Sequence, residues 1–116
     1  MSRNLIGVRV RLRLFAPGES LAAVCTGIIT EQMRSQNADS HDGYKIRLDE
    51  SVRIGPDIVT LVHAWPSGRY AFEPGTNKMD DLFHESVYTT VSWQLDNGEW
   101  MSYGDKGTFA EVSVAS

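Results

Sequence analysis

The chain of 116 residues contains one cysteine, Cys25, so no internal disulfide can form and the fold must rest on its own core. It has no Asn-x-Ser/Thr acceptor, and its first residues lack the uninterrupted apolar core of a secretory leader. A reducing cytoplasm is the expected location. No apolar run approaches the ~20 residues that span a bilayer, so a soluble protein without membrane contact is expected. Cys-x-x-Cys, His-x-His and Glu-x-x-His spacings are absent, as are the Gly-x-Ser-x-Gly elbow and both common Gly-rich phosphate loops. Nothing in the sequence points to a metal or a cofactor, and an enzyme is the least favoured class.

The length suits a single β domain over residues 1–116, large enough to bury roughly 65% of its unfolded surface. Net charge is −4, which opposes non-specific binding to nucleic acid. That charge is uneven: residues 1–53 sum to +2 and residues 54–116 to −6. Nine of the eleven aromatic residues lie between Trp65 and Phe109. An aliphatic, mildly basic half is therefore joined to an aromatic, acidic one. Such halves can neutralise each other within one molecule or between two copies.

Val8 to Leu14 alternates without a break, the pattern of a strand packed on one side and wet on the other. Leu21 to Thr30 reads as a second strand, and Gly27 inside it predicts a bulge or sharp bend. Gln32 to Asp42 reads as a mobile polar loop. Tyr44 to Asp49 resumes the alternation, with Lys45 and Arg47 on the wet side. Ile58 to Trp65 is almost wholly apolar and predicts a central strand covered on both faces. Arg69 to Phe72 is a further short strand. Thr76 or Asn77 can cap one short helix whose Met79, Leu82 and Phe83 share a side.

Asn97-Gly98 supplies the two positive-φ residues of a type I′ turn and so predicts a hairpin over 87–103. Counting outward places Val87, Val91, Trp93, Leu95 and Trp100 on one face. The other face carries Tyr88, Thr90, Ser92, Gln94, Met101 and Tyr103. Thr108 to Val114 forms the last strand. Eight short strands and a single helix predict a mostly β domain, a small antiparallel barrel or sandwich.

The first half, with its bend at Gly27-Ile28-Ile29 and its strand Tyr44-Lys45-Ile46-Arg47-Leu48-Asp49, resembles SH3-like barrels in strand order. That resemblance implies a small barrel that binds peptides, nucleic acids, nucleotide cofactors or its own kind, and does not choose among them.

Five cations form the first candidate site. Arg9, Arg11 and Arg13 project from one face at intervals of about 6.8 Å, the two-residue repeat of a strand. With Lys45 and Arg47 they could contact an anion such as a phosphate backbone, and Tyr44 could offer a stacking surface. The plainer reading gives them Asp49, Glu99 or Glu111 as cross-strand partners. Binding to nucleic acid is accordingly expected to be weak or absent.

Among the histidines, His63 in the apolar run reads as a packed ring, and His41-Asp42 as a solvated pair. Asp80 and His84 are four apart, as metal ligands on a helix sometimes are, yet an exposed acidic helix gives the same spacing. Cys25 reads as a small packed hydrophobe. An enzyme would have to use His63 or His84.

The second candidate site is the face Tyr88, Thr90, Ser92, Gln94, Met101 and Tyr103. It is aromatic and hydroxyl-rich and holds no charge, a composition found in interface cores and ligand cavities. The plainer reading has a second sheet or the helix bearing Met79, Leu82 and Phe83 cover it within the monomer. A binding or assembly module that self-associates through this face, as a homo-oligomer, is the expected function. The alternative is a β-barrel that holds a small apolar ligand.

Truncation separates the two faces of the hairpin. Trp100→Ala is expected to cost on the order of 3 to 5 kcal/mol in chemical denaturation, as for a buried tryptophan. Tyr103→Ala should alter oligomerisation or ligand binding more than folding. The reverse result would place the register one residue out.

Overall fold

A computed structural model describes residues 5–16, 20–33, 43–54, 57–66, 82, 86–94, 98–99 and 109–115. Six strands form there: β1 (Arg9–Ala16), β2 (Ser20–Met33), β3 (Gly43–Ile54), β4 (Asp57–Pro66), β5 (Val87–Trp93) and β6 (Phe109–Val114). Each pairs antiparallel with the next, and β6 returns to β1 to close a barrel. No α-helix occurs among the described residues. The helix expected after Asn77 lies outside them, apart from Leu82, which is buried. The strands expected over 69–72 and 100–103 also lie outside them, as do Leu95, Trp100, Met101 and Tyr103 of the hairpin. Gly98 does adopt a positive φ, 86°, the conformation that the turn requires of it.

Alternation decides what enters the barrel. Val10, Leu12 and Leu14 point inward from β1, Ile29 from β2, Tyr44, Ile46 and Leu48 from β3, and Val62 and Ala64 from β4. Val87 and Val91 come from β5, and Ala110 and Val112 from β6. A barrel of so few strands is filled by its own side chains. Each fully buried leucine, isoleucine or valine contributes roughly 1.5 to 3 kcal/mol relative to exposure. Thr89 is the polar member of this inner set, and its hydroxyl donates to the carbonyl of Ala110 at 3.0 Å. Trp93 is also turned inward, and its indole N–H donates to the Asp57 carboxylate at 3.1 Å. Leu5, ahead of β1, is wholly buried in the same core. The turn that follows it is held by Gly7 N–H donating to Ile29 at 2.8 Å and Val8 N–H donating to Leu5 at 3.1 Å.

Gly27 sits where the two ladders of β2 overlap. Residues 20–28 pair with β1 on one side, and residues from Gly27 onward pair with β3 on the other. A Cβ on Gly27 would lie 2.5 Å from the carbonyl oxygen of Arg47, so only glycine permits this backbone approach. Both ladders run through Gly27 without a register shift, so the bulge expected there does not occur, and the irregularities of β2 fall opposite Leu14/Phe15 and between Ile29 and Glu31.

Three irregularities reset the alternation. Between Leu14 and Phe15 of β1, the partner on β2 moves from Ala23 to Leu21, which turns Leu21 outward. On β2 the pairing passes from Ile29 to Glu31, which keeps Ile29 inside and sets Glu31 outside. On β3 the ladder with β4 breaks between Arg47 and Val52, and Asp49, Glu50 and Ser51 are exposed there. Such bulges bend a strand and re-aim its side chains.

Two expectations are corrected. The apolar β4 is covered on one face only: Val59, Val62 and Ala64 are buried, whereas Ile58 is 46% exposed and Leu61, His63 and Trp65 lie on the outer, partly exposed side. In a closed barrel every strand has an outer face, so an apolar run does not imply burial on both sides. The polar segment after Thr30 continues β2 as far as Met33, because Glu31, Gln32 and Met33 find partners in Lys45, Tyr44 and Gly43.

Gly27→Ala should destabilise the fold by about 1 to 3 kcal/mol in urea denaturation, the usual range for forcing an added methyl into a tight contact. An unchanged midpoint would show that β2 and β3 can separate at this crossing.

Candidate functional site

The outer surface of β5, β6 and β1 carries the candidate face. Tyr88 and Thr90 alternate outward from β5, and Glu111 and Phe109 of β6 stand opposite them. Phe109 in turn stands opposite Phe15 of β1. Tyr88 and Phe109 stack with ring centroids 4.7 Å apart, and Phe109 and Phe15 with centroids 4.9 Å apart. Three rings thus form a ladder across three strands, each stacked pair contributing about 0.5 to 1.5 kcal/mol beyond its buried area. Stacking across strands directs the ring faces along the sheet and turns their edges to solvent. Arg13 closes one end, its guanidinium 5.6 Å from the Phe15 centroid while it donates to Glu111 at 3.2 Å.

The ladder continues on both sides. Leu21 of β2 stands opposite Phe15 and is 50% exposed, and Val24, opposite Arg13, is 57% exposed. On the far side Trp65 of β4 stands opposite Thr90. The Trp65 ring lies against Gly43, where any Cβ would collide with it. An outer row from Trp65 through Thr90, Phe109 and Phe15 to Leu21 therefore crosses five strands without a charged residue.

Of the hairpin face expected from sequence, Tyr88, Thr90 and Gln94 are partly exposed. Ser92 faces outward opposite His63 but is only 5% exposed, so its hydroxyl is not part of an open surface. Met101 and Tyr103 lie outside the described residues. Phe15 and Phe109 were not singled out from sequence. Phe15 has the outward parity of Arg9, Arg11 and Arg13, and that parity was the signal available.

The five cations are brought to one side of the barrel and are mostly neutralised there. Arg9 pairs with Asp49 at 2.5 Å, Arg13 with Glu111 at 3.2 Å and Lys45 with Glu31 at 3.0 Å. Asp49 and Glu111 are two of the partners expected from sequence. Glu31 comes to Lys45 only because the bulge in β2 turns it outward. A hydrogen bond from the Thr26 hydroxyl at 2.6 Å, then the charges of Arg9 and Arg47, hold the Asp49 carboxyl below the usual carboxylate range. Arg11 lies between Thr26 and Ser113 on the neighbouring strands, and no carboxylate pairs with it among the described residues. Tyr44 offers no stacking surface. It shares the parity of Ile46 and Leu48 and is wholly buried.

His63 faces outward between Lys45 on β3 and Ser92 on β5. Partial burial, then the positive charge of Lys45, lower its pKa from 6.5, while Glu31 acts in the opposite sense. His84 lies outside the described residues. Among the described residues no group of three or more His, Cys, Asp or Glu side chains could hold a metal. Comparison with family models, with curated proteins and with solved structures finds no match for this chain.

The His63 shift has a consequence for stability. Its folded pKa lies below the unfolded value, so the folded state is the poorer proton acceptor, and stability falls as pH drops through 6.5 toward the folded pKa. His63→Gln should flatten that part of the profile when denaturation midpoints are measured from about pH 8 down to about pH 5, the span in which histidine titrates. An unchanged slope in the variant would assign the pH dependence to other groups.

Proposed function

We propose that this protein is an assembly module that self-associates through the outer face of β5, β6, β1 and the start of β2. The observation that carries this reading is the uncharged row Trp65, Thr90, Phe109, Phe15 and Leu21, stiffened by the stacked rings of Tyr88, Phe109 and Phe15. Pre-stacked rings lose little side-chain entropy on docking, which favours association over a face of flexible side chains. Aromatic residues at the centre with charges at the margin are the usual anatomy of an interface.

A two-fold contact requires a patch that complements itself. Arg13 and Glu111 border the ladder as one cation and one anion, so a two-fold axis through the rings can bring each arginine to the other copy's glutamate. A hetero-partner would have no need for this balance of sign. The reading of the barrel as a container for a small apolar ligand is less well supported, because Leu12, Leu14, Tyr44, Ile46 and Val62 fill its interior. Nucleic acid is a poor candidate for the same face: its rings present edges rather than stacking planes, and three of the five nearby cations already hold carboxylates.

The protein is expected to scatter light as a dimer at tens of micromolar and to bury at least ~1,000 Å² in the contact. Phe109→Lys should give a folded monomer, since it places a charge at the centre of the ladder. A wild-type monomer at those concentrations would overturn the proposal.

A further inference from the structure

β2 is longer than either of its neighbours' ladders. Its first part, residues 20–28, pairs with β1, and its second part, from Gly27, pairs with β3. Ahead of Gly27 the side of β2 that faces away from β1 has no strand beside it among the described residues. β3 departs at the same level, where Asp49, Glu50 and Ser51 bow out of register with β4 and pairing resumes only at Val52. The two strands thus diverge from Gly27 and Leu48 and enclose a recess of about 420 Å³ lined by Val24, Cys25, Thr26, Asp49, Glu50 and Val52.

Three properties of this recess define what it would take. First, a strand flank without a neighbour offers backbone N–H and C=O groups to an added strand, and folded proteins ordinarily guard such edges with charge, proline or a covering element. Residues 20–30 contain no charged residue and no proline. On the outer face of this stretch Val24 is 57% and Leu21 50% exposed. Second, Val24, Cys25 and Val52 provide apolar contacts, and Cys25 is an inert part of them. Burial, reinforced by the charge of Asp49, pushes its thiol up to about 11 and keeps it protonated. Third, the lining holds two carboxylates and no cation. Asp49 is engaged by Arg9 and Thr26, whereas Glu50 is exposed at the rim, with no ion pair among the described residues.

We infer that the recess between β2 and β3 is a docking site for an extended polypeptide segment that adds to the β2 edge, sets an apolar side chain against Val24 and Val52, and places a lysine or arginine beside Glu50. The backbone supplies affinity and the alternate side chains supply selection, as in other strand additions. This site lies on a different flank of β2 from the contact with Phe15, and it does not depend on self-association.

The test uses the full chain and a capped peptide of alternating valine and threonine with lysine at the position next to the central valine. Controls replace that lysine by glutamate, or N-methylate the amides that would pair with β2. Hydrogen exchange should slow at residues 20–26 when the lysine peptide is added, with both controls binding at least about tenfold more weakly, a difference of one decade in dissociation constant. Glu50→Gln should remove the preference for lysine over glutamate. Val24→Lys should abolish binding of all peptides while leaving the denaturation midpoint unchanged, since Val24 is exposed. Equal binding of the N-methylated peptide, or protection at Phe15 and Tyr88 in place of residues 20–26, would overturn the inference. So would no protection at millimolar peptide. In Phe109→Lys, where the face bearing Phe15 and Leu21 no longer associates, protection of residues 20–26 that grows with protein concentration alone would identify a second copy as the occupant and overturn it likewise. Phe109→Lys, which separates the copies, should leave peptide binding intact.

Discussion

The approach of Gly27 to the carbonyl of Arg47 is the contact on which the other features of this barrel depend. Because no Cβ stands between them, β2 can hold β1 on one side and take up β3 on the other at Gly27, where the two ladders overlap. Past Leu48 the pairing of β3 with β2 ends, and the recess around Cys25 lies in that divergence. A larger residue at this position would separate the strands and act on both the core and the recess.

The barrel spends its apolar residues on two surfaces. The inner set, from Leu5 to Val112, is a filled core with its polar members satisfied, Thr89 by a carbonyl and Trp93 by Asp57. The outer set, Tyr88, Phe109, Phe15, Leu21 and Trp65, is packed laterally along the sheet and remains partly open to solvent. An outer row of this kind contributes some stability through stacking. Its larger consequence is a rigid uncharged surface, the property that supports the proposal of self-association.

The cations show how cross-strand context changes a linear pattern. Arg9, Arg11 and Arg13 are equivalent in sequence, each two residues from the next. In the barrel Arg9 meets Asp49, Arg13 meets Glu111 and covers Phe15, and Arg11 is flanked by hydroxyl residues. Exposed pairs of this type contribute little to stability. They do cancel much of the field that a phosphate backbone would need.

Alternation in Val8–Leu14 and Tyr44–Asp49 was enough to assign inside and outside for β1 and β3, because period-two patterning is a local property of an extended chain. The inward set Val87, Val91 and Trp93 was legible for the same reason. The candidate face was legible only in part: its β5 residues followed from parity, but Phe15 and Phe109 join Tyr88 through strands that are remote in sequence. The bulges were not legible. One extra residue beside Phe15 turns Leu21 out, another beside Lys45 turns Glu31 out, and a longer one sets Asp49, Glu50 and Ser51 at a rim. Composition and periodicity thus determined a small antiparallel β domain and the facing of its regular strands. Closure, the outer faces of β4 and the parting of β2 from β3 were decided by tertiary structure, because each depends on which strand lies alongside and where the ladder slips, and neither is encoded within a single strand.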